Sequence, residues 1–99
     1  MIFRKSSDGE KLTYWITGRL DTDTAPELEE DLIASTEGVR SLIFDLDELV
    51  YLSSSGLRTF LNAQKLMDEC DGSMVIRNVP DDARQIMAAV GFTNIFQIE

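Results

Sequence analysis

Ninety-nine residues suit one domain with a single modest core, and 43% hydrophobic with 27% charged residues is a globular composition, not a disordered one. Eighteen acidic against nine basic residues give a formal charge of −9; with no cluster of lysines and arginines, the chain lacks the positive face that nucleic acids and anionic membranes require. Histidine is absent and cysteine occurs once, as Cys70, which excludes imidazole acid–base chemistry, serine–histidine dyads, histidine-held metals and an internal disulfide.

Met1 to Lys5 contains no signal-peptide apolar run, and no stretch approaches transmembrane length. These features predict a cytoplasmic protein without membrane insertion. Ile2 to Ser6 is a short strand, and Ser7-Asp8-Gly9-Glu10 turns the chain. From Lys11 to Thr17 the residues alternate. Leu12, Tyr14 and Ile16 point one way; Thr13, Trp15 and Thr17 point the other, so Trp15 is either covered or exposed. Gly18 to Thr24 reads as a polar loop. A helix then opens at Ala25-Pro26, where proline suits the first turn. Ala25, Leu28, Leu32 and Ile33 mark its inner face, and Glu27, Glu29, Glu30 and Asp31 form a solvated one.

Glu37-Gly38 ends that helix. Arg40 to Leu46 is nearly continuous in hydrophobicity and predicts a central strand. Asp47 to Leu52 links it to Ser53-Ser54-Ser55-Gly56, where a helix begins at Ser54 or Ser55 and runs to Glu69. Its stripe is Leu57, Phe60, Leu61, Gln64 and Met67, widened by Ala63, Leu66 and Cys70. Ser73 to Val79 is a further strand. Pro80-Asp81-Asp82 opens a last helix with Ala83, Ile86, Met87 and Val90 in phase, stopped by Gly91. Phe92 to Ile98 reads as a closing strand. The order β-β-α-β-α-β-α-β predicts an α/β fold in one domain, a mixed sheet with helices packed on it. In such folds sites form beyond the carboxyl ends of the strands. Two loops there, Gly18–Thr24 and Leu46–Ser55, can bring Asp21 near the serines.

The serine run admits three readings. One serine caps the helix and the others are solvated. Alternatively a serine is a nucleophile, but no histidine can serve as its base, Lys65 faces elsewhere, and Gly-x-Ser-x-Gly is missing. Or a serine accepts a phosphoryl group from another protein, which supplies the metal and the base. Phosphate-binding glycine loops are missing. The pairs Asp21/Asp23, Asp45/Asp47 and Asp81/Asp82 are read as solvation and capping, Cys70 as an inert thiol, and Arg58 as a surface charge or as a partner for a phosphate or a carboxylate.

Taken together, Gly18-Arg19-Leu20-Asp21, Thr24-Ala25, Asp45-Leu46, Tyr51-Leu52-Ser53-Ser54-Ser55-Gly56-Leu57-Arg58, Gly91-Phe92 and Phe96 resemble the STAS domain of bacterial anti-sigma factor antagonists across nearly the whole chain. The resemblance implies a non-enzymatic protein without cofactor, metal or catalytic residue, monomeric when free. It implies that the protein binds an anti-sigma factor serine kinase and is reset by a metal-dependent serine phosphatase. By the family pattern Asp-Ser-Ser/Thr-Gly-Leu the acceptor is Ser54, with Ser55 as the alternative, and Ser53 stands where the family has aspartate. Partner contacts are then expected at Asp21, Thr22, Ser53, Ser55, Gly56, Leu57 and Arg58. Two other STAS roles remain: a regulatory subunit of a transporter ATPase or another signalling protein, and a small-ligand or nucleotide-binding module.

Overall fold

The computed structural model describes residues 2–99; Met1 lies outside them. In chain order the elements are β1 (Phe3–Asp8), β2 (Lys11–Ile16), β3 (Gly18–Leu20), α1 (Ala25–Ser35), β4 (Ser41–Asp45), β5 (Leu49–Leu52), α2 (Ser54–Glu69), β6 (Ser73–Arg77), α3 (Asp81–Ala89), a 3-10 turn (Phe92–Asn94) and β7 (Gln97–Ile98). The main sheet runs β1-β2-β4-β6-β7. β1 and β2 form the expected antiparallel hairpin, and β2, β4, β6 and β7 are parallel. The mixed α/β sheet is therefore present as the sequence predicts.

The strand register explains the burial. Tyr14, Phe44 and Ile76 are partners across three strands, and each is fully buried. Leu28 and Leu32 of α1 and Phe60, Ala63 and Met67 of α2 complete the core above them. The rings of Tyr14 and Phe44 stack at 5.6 Å between centroids, and Phe60 meets Phe44 edge-on at 5.0 Å. The other sheet face carries Trp15, Ile43 and Val75, each half-buried. Trp15 is thus partly covered, and the Arg4 guanidinium lies over its ring. α3 enters the core through Ala83 and Met87.

Two carboxylates tie elements together, Asp31 joining α1 to the sheet and Asp45 joining β4 to β6. Asp31 of α1 accepts from the buried Tyr14 hydroxyl (2.5 Å), from Lys5 Nζ (2.9 and 3.0 Å) and from Ser35. Burial alone would raise its pKa, but these donors outweigh burial and lower it. Burial, together with the adjacent carboxylate, pushes the Tyr14 phenol well above its usual value. Asp45, expected to be solvated, is instead buried at the end of β4. It accepts from Arg77 Nε (3.0 Å), Asn78 Nδ2 (3.1 Å) and the Asp47 amide (3.0 Å). Those bonds outweigh desolvation here too, and the Asp45 pKa is lowered.

Several expectations need correction. Gly18–Leu20, expected to be loop, is a strand, and so is Leu49–Leu52, expected to be a link; β3 and β5 pair in parallel as a separate small sheet. β1 extends two residues beyond Ser6. Ile33 is exposed rather than on the inner face of α1, and Val90 lies past the end of α3, also exposed. Only Gln97 and Ile98 of the expected closing strand are extended. Gly91 takes φ +78°, a left-handed conformation that suits glycine and ends α3. Phe92 then turns so that its ring meets Phe96 edge-on at 5.5 Å, with Phe96 buried.

Candidate functional site

β3 and β5 lead directly into the two segments that the sequence brought into question. Leu20 and Leu52 are register partners, and both are buried. The Ser53 amide donates to the Leu20 carbonyl at 3.0 Å, so the start of α2 is tied to the end of β3. The β3–α1 loop and the α2 N-terminus thus lie side by side. Thr22 and Ser55 share a hydrogen bond at 3.2 Å across this junction.

Each serine has a different environment. Ser53 is the cap: its backbone is extended, and its hydroxyl accepts from the Gly56 amide at 3.3 Å. Ser55 is half-buried and engaged by Thr22. Ser54 is the first residue of α2. It is exposed, and its hydroxyl has no hydrogen-bond partner among the described residues. The first turn of α2 contains no acidic residue, whereas α1 has Glu27 there and α3 has Asp81 and Asp82. The first turn of α2 thus offers no carboxylate of its own to the positive end of the dipole beside Ser54.

Asp21 shapes the facing loop. Its Oδ1 accepts from the Asp23 amide (3.0 Å), the Thr24 amide (3.2 Å) and the Thr24 hydroxyl (3.2 Å), and Arg19 Nε approaches Oδ2 at 3.4 Å. Desolvation opposes its ionisation, but these donors outweigh it and the pKa is lowered. Thr24, at the N-cap of α1, makes no side-chain cap of its own; its one hydroxyl proton is shared between the Arg19 carbonyl (2.7 Å) and Asp21 Oδ1 (3.2 Å).

The chain is similar to known proteins. The family model described as the STAS domain matches residues 4–99. The chain belongs to the STAS domain family. The STAS domain described here is 27% identical over 97 residues to the anti-sigma-B factor antagonist of Listeria monocytogenes, covering 96% of this chain and 84% of that one. It is 29% identical over 84 residues to the anti-sigma-B factor antagonist of Staphylococcus aureus, covering 84% and 78%. Its fold is similar to that of the Bacillus cell fate determinant SpoIIAA in the phosphorylated form, at 16% identity and a TM-score of 0.80, covering 98% of this chain and 90% of that one.

The other expected site residues of this STAS domain divide by burial. Thr22 and Arg58 are exposed, Thr22 while bonded to Ser55. Leu57 is buried and instead anchors the first turn of α2. Gly56, expected to admit a partner, admits the domain's own backbone: a Cβ there would lie 2.7 Å from Leu52 Cδ1 and 2.9 Å from the Leu20 carbonyl oxygen. Ser53 caps α2, as aspartate also can, and brings no negative charge beside Ser54. The sequence reading missed a platform next to the serines. The Arg19 guanidinium lies 4.3 Å from the Tyr51 ring centre, and Val50 and Tyr51 are both exposed. Leu20, Leu49 and Leu52 bracket these outward-facing residues, a pattern too short to declare a strand pair in the sequence. Ser54 also lines a groove of about 200 Å³ together with Leu57, Arg58, Leu61, Val90 and Phe92.

Proposed function

We propose that this STAS domain is an anti-sigma factor antagonist controlled by phosphorylation of Ser54. The observation that carries the reading is the division of labour among the serines: Ser53 caps, Ser55 is engaged by Thr22, and only Ser54 offers an exposed, uncommitted hydroxyl. The names of the Listeria and Staphylococcus relatives support the antagonist role. The record of SpoIIAA in both unphosphorylated and phosphorylated forms supports the switch.

In this reading the unmodified domain captures an anti-sigma factor that is itself a serine kinase with a histidine-kinase-like ATPase fold. Asp21, Thr22, Ser53, Ser55 and Arg58 surround the acceptor and form the docking surface. The kinase transfers the γ-phosphoryl group of ATP. A bond forms between Ser54 Oγ and phosphorus, the bond to the ADP oxygen breaks, and the hydroxyl proton passes to a base of the kinase. The new group brings about two negative charges. The helix start tolerates them, but a surface docked over it does not. A metal-dependent phosphatase hydrolyses the ester and restores the serine. The domain contributes geometry and a hydroxyl; it catalyses nothing.

Incubation with the cognate kinase and ATP, followed by tryptic mass spectrometry, should place the phosphate on Ser54; modification confined to Ser53 or Ser55 would overturn the assignment. In a pull-down from native extract, Ser54→Ala should retain the kinase and Ser54→Asp should lose it. Equal capture by both variants sinks the switch, and recovery of a transporter ATPase in place of a kinase favours a regulatory-subunit role.

A further inference from the structure

Arg58 is an exposed arginine with no ion pair or hydrogen bond among the described residues. Most nearby polar groups are already engaged. Arg19 lies on Tyr51 and approaches Asp21, and Asp21 is held by its own loop. Arg58 is four residues after Ser54 on α2, so their Cβ atoms are neighbours on one helix face, about 5–6 Å apart. Side chains on a helix lean toward its N-terminus, so the Arg58 stem extends over the turn that begins with Ser54. Both residues line the same groove, whose remaining walls are apolar: Leu57, Leu61, Val90 and Phe92. No carboxylate in the first turn of α2 competes for the guanidinium.

We propose that Arg58 is an intramolecular phosphate clamp: once Ser54 is phosphorylated, the Arg58 guanidinium closes on the phosphate and is withdrawn from the docking surface. This inference rests on Ser54 as the acceptor. It adds a second component to the switch. Phosphorylation then does more than introduce negative charge where a partner sits; it also removes a free cation from a strongly acidic protein. The planar guanidinium fork suits two phosphate oxygens at once. The β3–α1 loop, joined to the start of α2 through Thr22 and Ser55, carries Asp21 and Asp23, whose charges oppose the phosphate, and Arg19 on β3 is already engaged. The α3 side contributes none, since only Val90 and Phe92 line the groove there.

The test uses full-length protein with phosphoserine inserted at position 54 during translation, so that no kinase is needed. Phosphorus NMR then follows the second ionisation of the phosphate in the wild-type, R58Q and R58K backgrounds. The expected result is an ionisation in wild type at least about 0.5 unit below that in R58Q, because a nearby opposite charge favours the dianion. R58K should fall between them, keeping the charge but losing the fork. Equal ionisation in wild type and R58Q overturns the clamp. In the same samples the Arg58 Nε–H resonance should shift and exchange more slowly with solvent only when Ser54 is phosphorylated; an unchanged resonance also overturns it. The outcome is separable from the acceptor assignment, which stands or falls on where the kinase places its phosphate.

Discussion

Ser53 has φ −95° and ψ 174°, just outside the helix, and from there its hydroxyl reaches the Gly56 amide. Ser54, one residue later, has its side chain directed to solvent. Loss of a serine cap costs about 1 kcal/mol, within a range of roughly 0.5–2, whereas an exposed side chain without contacts changes stability by less than about 0.5 kcal/mol. Urea unfolding should therefore show Ser53→Ala destabilised by about 1 kcal/mol and Ser54→Ala nearly unchanged; the reverse order would move the cap to Ser54. The sequence singled out the serine run and, through the family resemblance, an expected acceptor, but it left open which serine caps the helix. The reason is the limit of periodicity: the apolar stripe of α2 locates the helix start only to within a residue or two, and here three consecutive residues could all cap. Arg58 was legible as a charge one turn further on, but its lack of a partner among the described residues could be seen only in the folded chain.

Elements with several turns or alternations were legible in the sequence. β2, β4, α2 and α3 all carry enough apolar repeats to declare their period. β3 and β5 have three and four residues, too few to show alternation, and their pairing depends on a partner just over thirty positions away. The Phe92–Phe96 segment is apolar enough to read as a strand, but the packing of its two rings against each other requires a turn. Gly56 shows how an element is seated. Inside an ordinary helix, glycine to alanine stabilises by about 1 kcal/mol. Here the added methyl group would press against Leu52 and against the β3 backbone, and overpacking costs about 1–3 kcal/mol. Gly56→Ala should therefore lower the urea midpoint, and a raised midpoint would mean that α2 can withdraw from β3 without cost.

The whole molecule is an acidic body in which individual carboxylates are held by donors. Asp31 and Asp45 have folded-state pKa values below their unfolded ones. Their contribution to stability is therefore complete above the unfolded carboxylate value of about 3.9 and is lost as pH falls through the lower folded value. Asp45→Asn removes one such contribution and leaves Arg77 without its carboxylate. Thermal unfolding from pH 7 to pH 2 should show a gap between wild type and Asp45→Asn that narrows below about pH 4; a constant gap would mean that the carboxylate's charge is not what stabilises. The arrangement of layers has one more consequence. α1 and α2 cover the Tyr14 face of the sheet, and the candidate site lies at the start of α2, while Trp15, the protein's single tryptophan, looks out from the opposite face beneath Arg4. Its fluorescence will therefore follow unfolding of the sheet and stay silent when a partner settles at Ser54, giving an internal optical reference by which lost binding can be told from lost structure in every variant described above.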